Sequence, residues 1–518
     1  MSGGPRVLVV GGGLVGLSCA VFLAWHGVRC VLVERHAGLL SHPRQRSLSI
    51  RSMESYRQVG LEPALLADRL HLPGPADYVS VRADSLAGRH EAVALHVDVA
   101  AGADLSPCAG LPIDQDRVER LLCRRAVELG ARVRFGVELT DLRQDRHHVS
   151  GVLRVAGAEP EPVECDYLVA ADGADSPIRH ALGVASTDSG GERRMLTALV
   201  AADLRPALAG RTVDMAYLSR PRPGTFLMSL GRDAHRWVFG TVDEAGDDVG
   251  TCVTLVRQAV GVPDLPVTLL PQLPGSDRRV MRFRVGASVA DRYRVGRVFL
   301  AGDAAHVMPP TGGFGGSTGV EDARNLAWKL ATVALGRAGD GLLDSYEAER
   351  RPAATAALAQ ATARAGHRFG SGGGATEPIV DRNDVLLGFG YRSNAVVTGR
   401  PPPVVSPAAS LTGRPGTRAP HVWLADGRST VDLFGDRFVL LTAGDALGWR
   451  RVTRRAPVPV DVHGCGGEVA GVYRLGSSEG VLVRPDGVVA WRGDRPEPEV
   501  FSAVLARVLS LPAPVSSP

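Results

Sequence analysis

The sequence is almost without lysine: of 59 basic residues only Lys329 is not arginine. We read this as coding bias, with no bearing on function. Cysteine is sparse as well. Cys19, Cys30, Cys108, Cys123, Cys165, Cys252 and Cys465 are dispersed, odd in number and form no C-x-x-C pair. That excludes a disulfide framework or a cysteine zinc site and predicts reduced thiols in a cytoplasmic protein. No stretch reaches the roughly 20 apolar residues of a membrane span. The apolar run after Arg6 is broken by Gly11–Gly13, His26 and Arg29, so it reads as strand, turn, helix and strand, not as a signal peptide. Net charge is only +4 and the arginines are scattered, which argues against a nucleic-acid surface. No metal cluster, serine-histidine-acid set or internal repeat stands out. What remains is a soluble globular composition, 45% hydrophobic and 22% charged, in 518 residues, enough for two or three domains.

Three stretches carry the chemistry. In the first, the apolar strand Arg6–Val10 runs straight into GGGLVG, placing Gly11, Gly13 and Gly16 in a G-x-G-x-x-G pattern. A helix with Leu14, Leu17, Val21 and Trp25 inward follows, and the strand Cys30–Val33 closes the unit at Glu34, 18 residues after Gly16. The first glycine permits a tight turn, the second lets a pyrophosphate approach, the third lets helix pack on strand, and the acid suits a ribose hydroxyl. The second stretch is the strand Asp166–Ala171 leading into DGADSPIRHALG, where Ser176 and Pro177 open a helix. A plain β-turn-α unit is its alternative reading.

The third stretch runs from Gly296 to Ala331. An apolar strand, Val298–Leu300, ends near Asp303 and is followed by MPPTGGFGGSTG, five glycines and two prolines between Met308 and Gly319. The glycines strip side chains where another surface must approach. Thr318 and Glu321 have the spacing of a capping box, which predicts a helix opening there. Strand, acid, bare loop and helix N-terminus make a seat for a flat, partly anionic ligand.

The order and spacing of these stretches resemble the class A flavoprotein monooxygenases of the para-hydroxybenzoate hydroxylase fold, over roughly residues 5–365. Within that family, PPTGGFGGSTG, GRPGTRAPHVWL near 413–424 and the chain's tail resemble the hydroxylases of anthracycline, tetracenomycin and angucycline polyketides. Ser317 departs from the asparagine expected in the G-G-N-T-G run, which implies altered flavin contacts and retained binding. The resemblance implies non-covalent FAD at Gly11, Gly13, Gly16, Glu34, Arg35, Arg44, Gln115, Asp172, Gly302, Asp303, Pro310, Gly315, Gly316 and Ser317. Arg44 would meet the pyrophosphate, Asp303 the ribityl hydroxyls and Pro310 the isoalloxazine. Gly173 belongs to the same Asp-Gly motif as Asp172, and Arg179 fits the family pattern one turn on. NADPH would visit transiently, since no second glycine fingerprint holds it. O2 would give a flavin C4a-hydroperoxide that hydroxylates a polycyclic aromatic small molecule.

Tyr217 and Arg364 match positions that face substrate in anthracycline hydroxylases, where they would activate a phenol. A packed sheet tyrosine and a solvated helix arginine are the alternatives. His306 lies inside the cofactor loop and reads as structural. Baeyer–Villiger insertion, antibiotic inactivation and a non-catalytic flavin- or drug-binding protein are rival readings. The expected fold is α/β. A Rossmann-like FAD-binding domain takes residues 1–72, 113–180 and 284–375, and an antiparallel-sheet substrate domain takes 73–112 and 181–283. Residues 181–290 read as alternating segments without long helices. The C-terminal domain, 395–518, has strand-like TVDLFG and FVLLT, then a hairpin through Pro485, Asp486 and Gly487 and a closing helix. That ending resembles thioredoxin, although Cys465 has no partner for disulfide exchange. Monomer or homodimer is expected, with no metal.

Overall fold

A computed structural model describes residues 6–39, 45–70, 80–93, 102, 104–188, 193–230, 235–244, 248–272, 276–369 and 378–512. Arg44 lies outside the described residues. The first sheet has six strands in the order Arg294–Val295, Val298–Leu300, Tyr167–Ala170, Val7–Val10, Cys30–Glu34 and Arg132–Phe135. All neighbours are parallel except the first pair. Its central strands are buried throughout, as a parallel sheet covered by helices requires. Helix Leu14–Trp25 packs between Gln115–Glu128 and Phe314–Ala334. A three-stranded meander, Val137–Gln144, Val149–Val155 and Glu161–Cys165, lies in the chain between the third and fourth strands of this sheet, Arg132–Phe135 and Tyr167–Ala170.

The helix after the glycine loop opens earlier than the sequence spacing predicts. It runs from Phe314 to Ala334, and Gly313, at φ +64, supplies the left-handed turn into it. Thr318 and Glu321 lie inside the helix and form no capping box. Glu321 is drawn away by Arg51 and Ser55, which bond its carboxylate at 2.9 and 2.8 Å.

The second sheet carries Thr268–Leu270, Arg193–Ala201, Arg236–Val242, Thr225–Ser229, Met215–Leu218, Ser80–Ala83 and Glu91–Val93 in that order, with Val280–Val285 also on Arg193–Ala201. It is antiparallel apart from one pair: Ser80–Ala83 comes from a separate excursion of the chain and enters parallel to Met215–Leu218. The expectation of no long helix in this region fails. Asp248 caps a helix over Val249–Val260, and Gly261, at φ +83, ends it. Its β-branched residues (Val249, Thr251, Val253, Thr254, Val256) disguise the helical pattern, but it packs on one face of the sheet and shares a core with Trp237 and Phe239.

The C-terminal sheet has the order Val460–Gly464, Phe438–Thr442, Gly480–Val483 and Val489–Gly493. Its first pair is parallel and the others antiparallel, with helices Ala446–Thr453, Gly467–Tyr473 and Pro498–Val508, a thioredoxin-like arrangement. TVDLFG is not a strand. Thr430–Leu433 is a 3-10 turn opened by a capping box between Ser429 and Asp432. No described helix is long and apolar enough to cross a membrane, and no metal-ligand cluster occurs among the described residues.

Candidate active site

The glycine fingerprint divides into two kinds of position. At Gly11 and Gly16 the protein itself forbids a side chain: a Cβ would collide with the Ala171 carbonyl at Gly11 and with the Gly11 carbonyl at Gly16. At Gly13 a Cβ would meet only Glu119 Oε1, 3.8 Å away. The protein leaves that space open. Gly13 is also the N-cap of helix Leu14–Trp25, with no side-chain cap and no acid in the first turn. Free helix N–H groups beside an open glycine form an anion site.

Glu34 stands at the end of the second strand. It accepts Gly12 N at 2.6 Å, His36 N at 2.8 Å and His36 Nδ1 at 2.5 Å. Burial would raise its carboxyl, but the His36 and Gly12 bonds outweigh that and hold it below the usual carboxylate range. Arg35 is exposed immediately beside it.

The second helix N-terminus converges on the first. Gly302 and Gly319 both lie against Val15, where a Cβ would come within 2.7 and 2.5 Å of its methyl. Gly316 lies against Leu14 and the Gln45 side chain, and Gly315 faces Met308. The Gln45 carbonyl accepts Gln115 N at 2.9 Å, and Gln115 Nε2 donates to Glu119 Oε1 at 2.7 Å. Gln115 and Glu119 are thereby set beside Gly13, between the two N-termini. Asp303 and Pro310 are exposed on the connecting loop. Ser317 turns its hydroxyl back onto the Gly313 carbonyl, at 3.3 Å, within its own helix.

The Asp-Gly turn closes the third side. Asp172 accepts Ile178 N at 3.2 Å through Oδ2, while its Oδ1 is buried without a partner among the described residues. Burial pushes this carboxyl up. Arg179 ties the turn to the glycine loop, donating to the carbonyls of Ala304 and Ala174 at 2.9 Å each. Two uncapped N-termini, an open glycine, an exposed acid and an unpartnered buried carboxylate oxygen fit a dinucleotide with a flat ring system.

Sequence reading missed what holds this cradle from behind. Asp322 accepts Gly302 N at 3.1 Å, His306 Nε2 at 2.6 Å and Arg350 Nε at 2.8 Å. Arg350 continues to the Thr318 carbonyl and the Tyr391 hydroxyl. His306 is thus a buried positioning group, in agreement with its structural reading. Further along the same helix the only lysine is buried on Asn325 and Glu349, at 2.7 and 2.8 Å. Burial holds Lys329 down at about 8 despite Glu349. Arg484 and Asp486, from the C-terminal hairpin, complete this cluster: Arg484 bonds both Glu349 oxygens and Asp486. Whatever coding bias removed the other lysines, this one is paired in the interior. A signal was available: VLVRPDGVVAWR puts Arg484 and Asp486 at a turn flanked by the apolar runs VLV and VVAW.

The second sheet adjoins the cradle through Arg46, one residue from Gln45. Arg46 pairs with Asp114 at 3.0 Å and donates to the Ser229 carbonyl at the end of strand Thr225–Ser229. Tyr217 is half-buried on the sheet face opposite the helix, across from Phe226. Arg364 donates to Gln360 Oε1 at 2.8 Å and to the Val380 carbonyl at 2.6 Å, and lies over the Phe314 ring at 5.2 Å. It is therefore half-buried against the first residue of the loop helix, not solvated.

An FAD-binding-domain family model matches residues 5–361, and a model for the C-terminal region of aromatic-ring hydroxylases matches 412–512. The chain belongs to the FAD-dependent aromatic-ring hydroxylases. It is 40% identical to a tetracenomycin B2 monooxygenase-dioxygenase of Streptomyces olivaceus, over 97% of this chain and 98% of that one. A tetracenomycin A2 monooxygenase-dioxygenase of Streptomyces glaucescens is 38% identical, over 94% and 93%. Among solved structures, an aklavinone-11 hydroxylase in complex with FAD and aklavinone superposes with a TM-score of 0.87 at 34% identity, covering 98% of this chain and all of that one. The hydroxylase is thus a flavoprotein enzyme.

Proposed function

We propose that this hydroxylase consumes NADPH to add oxygen to a polycyclic aromatic polyketide. The observation that carries the reading is the junction at Gln45 and Arg46. Gln45 touches the flavin-loop helix at Gly316 while Arg46 holds the strand end at Ser229, so the cofactor cradle opens beside an apolar sheet face. The relatives named for tetracenomycin and aklavinone chemistry support the substrate class.

Bound FAD supplies the oxygen chemistry, taking electrons from NADPH and activating O2. The chain supplies position and field. Gly13 and the N–H groups of helix Leu14–Trp25 receive the pyrophosphate, and Glu34 the ribose. The N-terminus at Phe314 favours negative charge on the flavin ring by about 0.3–2 kcal/mol. Tyr217 offers its hydroxyl to a substrate phenol. Arg364 retains guanidinium N–H groups beyond its three bonds and stabilises a phenolate, which raises the electron density of the carbon to be oxidised. With no second glycine fingerprint in the sequence, NADPH would bind only transiently.

The test is stopped-flow and steady-state oxidation of NADPH by the FAD-loaded protein, with and without aklavinone or a tetracenomycin precursor. Substrate-stimulated oxidation with a product heavier by one oxygen supports the proposal. Bound flavin without stimulated turnover, across a panel of such polycycles, would sink it.

A further inference from the structure

Among the described residues the sheet beside the cradle has one face without a helix, and that face has an unusual centre. Phe226 and Gly240 are cross-strand partners, so both would point side chains to the same face. Gly240 has no side chain, and the Phe226 ring lies across its backbone. A Cβ at Gly240 would collide with Cε1 and Cζ of that ring and come within 3.0 Å of Cδ1. Glycine inside a strand weakens the sheet and marks a close approach. Here the approach is made by the ring.

Laid flat, Phe226 spans what would otherwise be a gap between strands. Tyr217 flanks it on the next strand, and Thr197 lies beyond Gly240 on the other side. Half-buried Met215 extends the apolar face, on which Met228 and Val238 are buried. The contrast with the opposite face is informative. There Trp237 and Phe239 are fully buried under helix Val249–Val260; here Thr197, Met228 and Val238 are buried as well, but Phe226 and Tyr217 stay half-buried, with no helix over them among the described residues. The strand that carries Phe226 ends at Ser229, which Arg46 joins to the cofactor cradle. The half-buried centre of this face thus lies on the strand that Arg46 ties to the cradle.

We propose that Phe226 and Gly240 form the wall that fits this enzyme to flat, multi-ring substrates, with Gly240 as a specificity-determining residue that sets the wall's height. The proposal rests on the substrate class given above and deepens it. An upright ring would split the face into small pockets suited to a single-ring phenol. A flat ring offers an offset-stacking surface wide enough for fused rings, and half-buried Met215 beside it adapts to their edges.

The experiment measures binding of aklavinone and of catechol by flavin-fluorescence titration, using the FAD-loaded wild type, Gly240→Ala, Phe226→Ala and the double variant. Gly240→Ala lifts the ring and should weaken aklavinone by about tenfold while leaving catechol within about twofold. Phe226→Ala removes the wall and should also weaken aklavinone, with FAD content unchanged. In that background Gly240→Ala should add nothing, because the clash it creates is with the missing ring. The proposal is overturned if Gly240→Ala leaves aklavinone binding unchanged, weakens both ligands equally, or has the same effect with and without Phe226. Wild type that binds no polycycle, aklavinone or tetracenomycin-type, would instead overturn the substrate reading itself, and this inference with it. If Gly240→Ala does not fold, Phe226→Ala decides: equal losses for the two ligands, or none, contradict the proposal.

Discussion

Helix Phe314–Ala334 buries Asp322, Asn325 and Lys329 in bonds to His306, Arg350 and Glu349, and the C-terminal hairpin adds Arg484 and Asp486. The sheet face around Phe226 presents mainly apolar side chains and no buried ion pair of that kind among the described residues. The two sides impose different constraints. Buried charges need particular partners at particular distances, so the cofactor side admits one arrangement. Apolar contacts are non-directional, so the substrate side can change shape without loss of the fold. The difference suits an enzyme whose cofactor stays constant while its substrates vary.

The largest test breaks the charged side. Arg484→Met leaves Glu349 and Asp486 buried with a cation fewer and should cost about 3–5 kcal/mol in denaturant unfolding. Phe226→Leu, on the sheet, should cost about 1 kcal/mol or less. Comparable losses for the two would dissolve the distinction. Next in size is a contrast within the fingerprint. Gly16→Val should abolish soluble protein, since its side chain has no room against the Gly11 carbonyl. Gly13→Val should fold normally yet purify colourless, and stoichiometric FAD in that variant would count against the pyrophosphate assignment.

Acid should act on the charged side first. Burial alone would raise the Glu54 carboxyl, but Arg418 and Arg51 hold it at about 2 against an ordinary 4.5. Glu349, Asp322 and Asp486 are lowered in the same way. A lowered carboxylate contributes stability that is complete above its unfolded value and drains as pH falls toward the folded one. Through these carboxylates melting temperature should fall steeply below about pH 5, with FAD release, as linkage requires. His26, held down at about 4 against 6.5, adds a loss that begins below about pH 6.5, and Lys329, at about 8 against 10.5, a gain above about pH 8. No steepening below about pH 5 would assign the acid-labile stability to other groups. The smallest effect is Tyr217→Phe. Stability should stay within about 0.5 kcal/mol and FAD content unchanged, with substrate-stimulated turnover slower by about tenfold or more. Unchanged turnover would demote Tyr217 to sheet packing.

The same division explains what the sequence revealed. Gly11, Gly16, Gly302 and Gly316 were readable because each answers a local demand, a turn or a backbone approach, that only glycine meets. The apolar runs Val7–Val10, Tyr167–Ala170 and Val298–Leu300 announced a parallel sheet. The partners of Lys329 were not readable, because Glu349 and Arg484 lie 20 and 155 residues away and no periodicity links them. The flat seat of Phe226 was hidden too, since it depends on a cross-strand register that alternating residues do not fix. Helix Val249–Val260 was missed among β-branched residues, although Asp248 and Gly261 marked its ends. Thr318 and Glu321 imitated a capping box and moved the predicted helix start by one turn. The true start at Gly313 matters, because it places Gly315 and Gly316 in the first turn, beside the uncapped N–H groups of the helix.

The most direct test supplies the purified, FAD-loaded protein with NADPH, aklavinone and isotopically labelled O2, and weighs the product. The account predicts that the added oxygen carries the label and that NADPH is consumed only when the aromatic substrate is present. A product whose new oxygen comes from water, or labelled peroxide released with no labelled product from any polycycle offered, would contradict it.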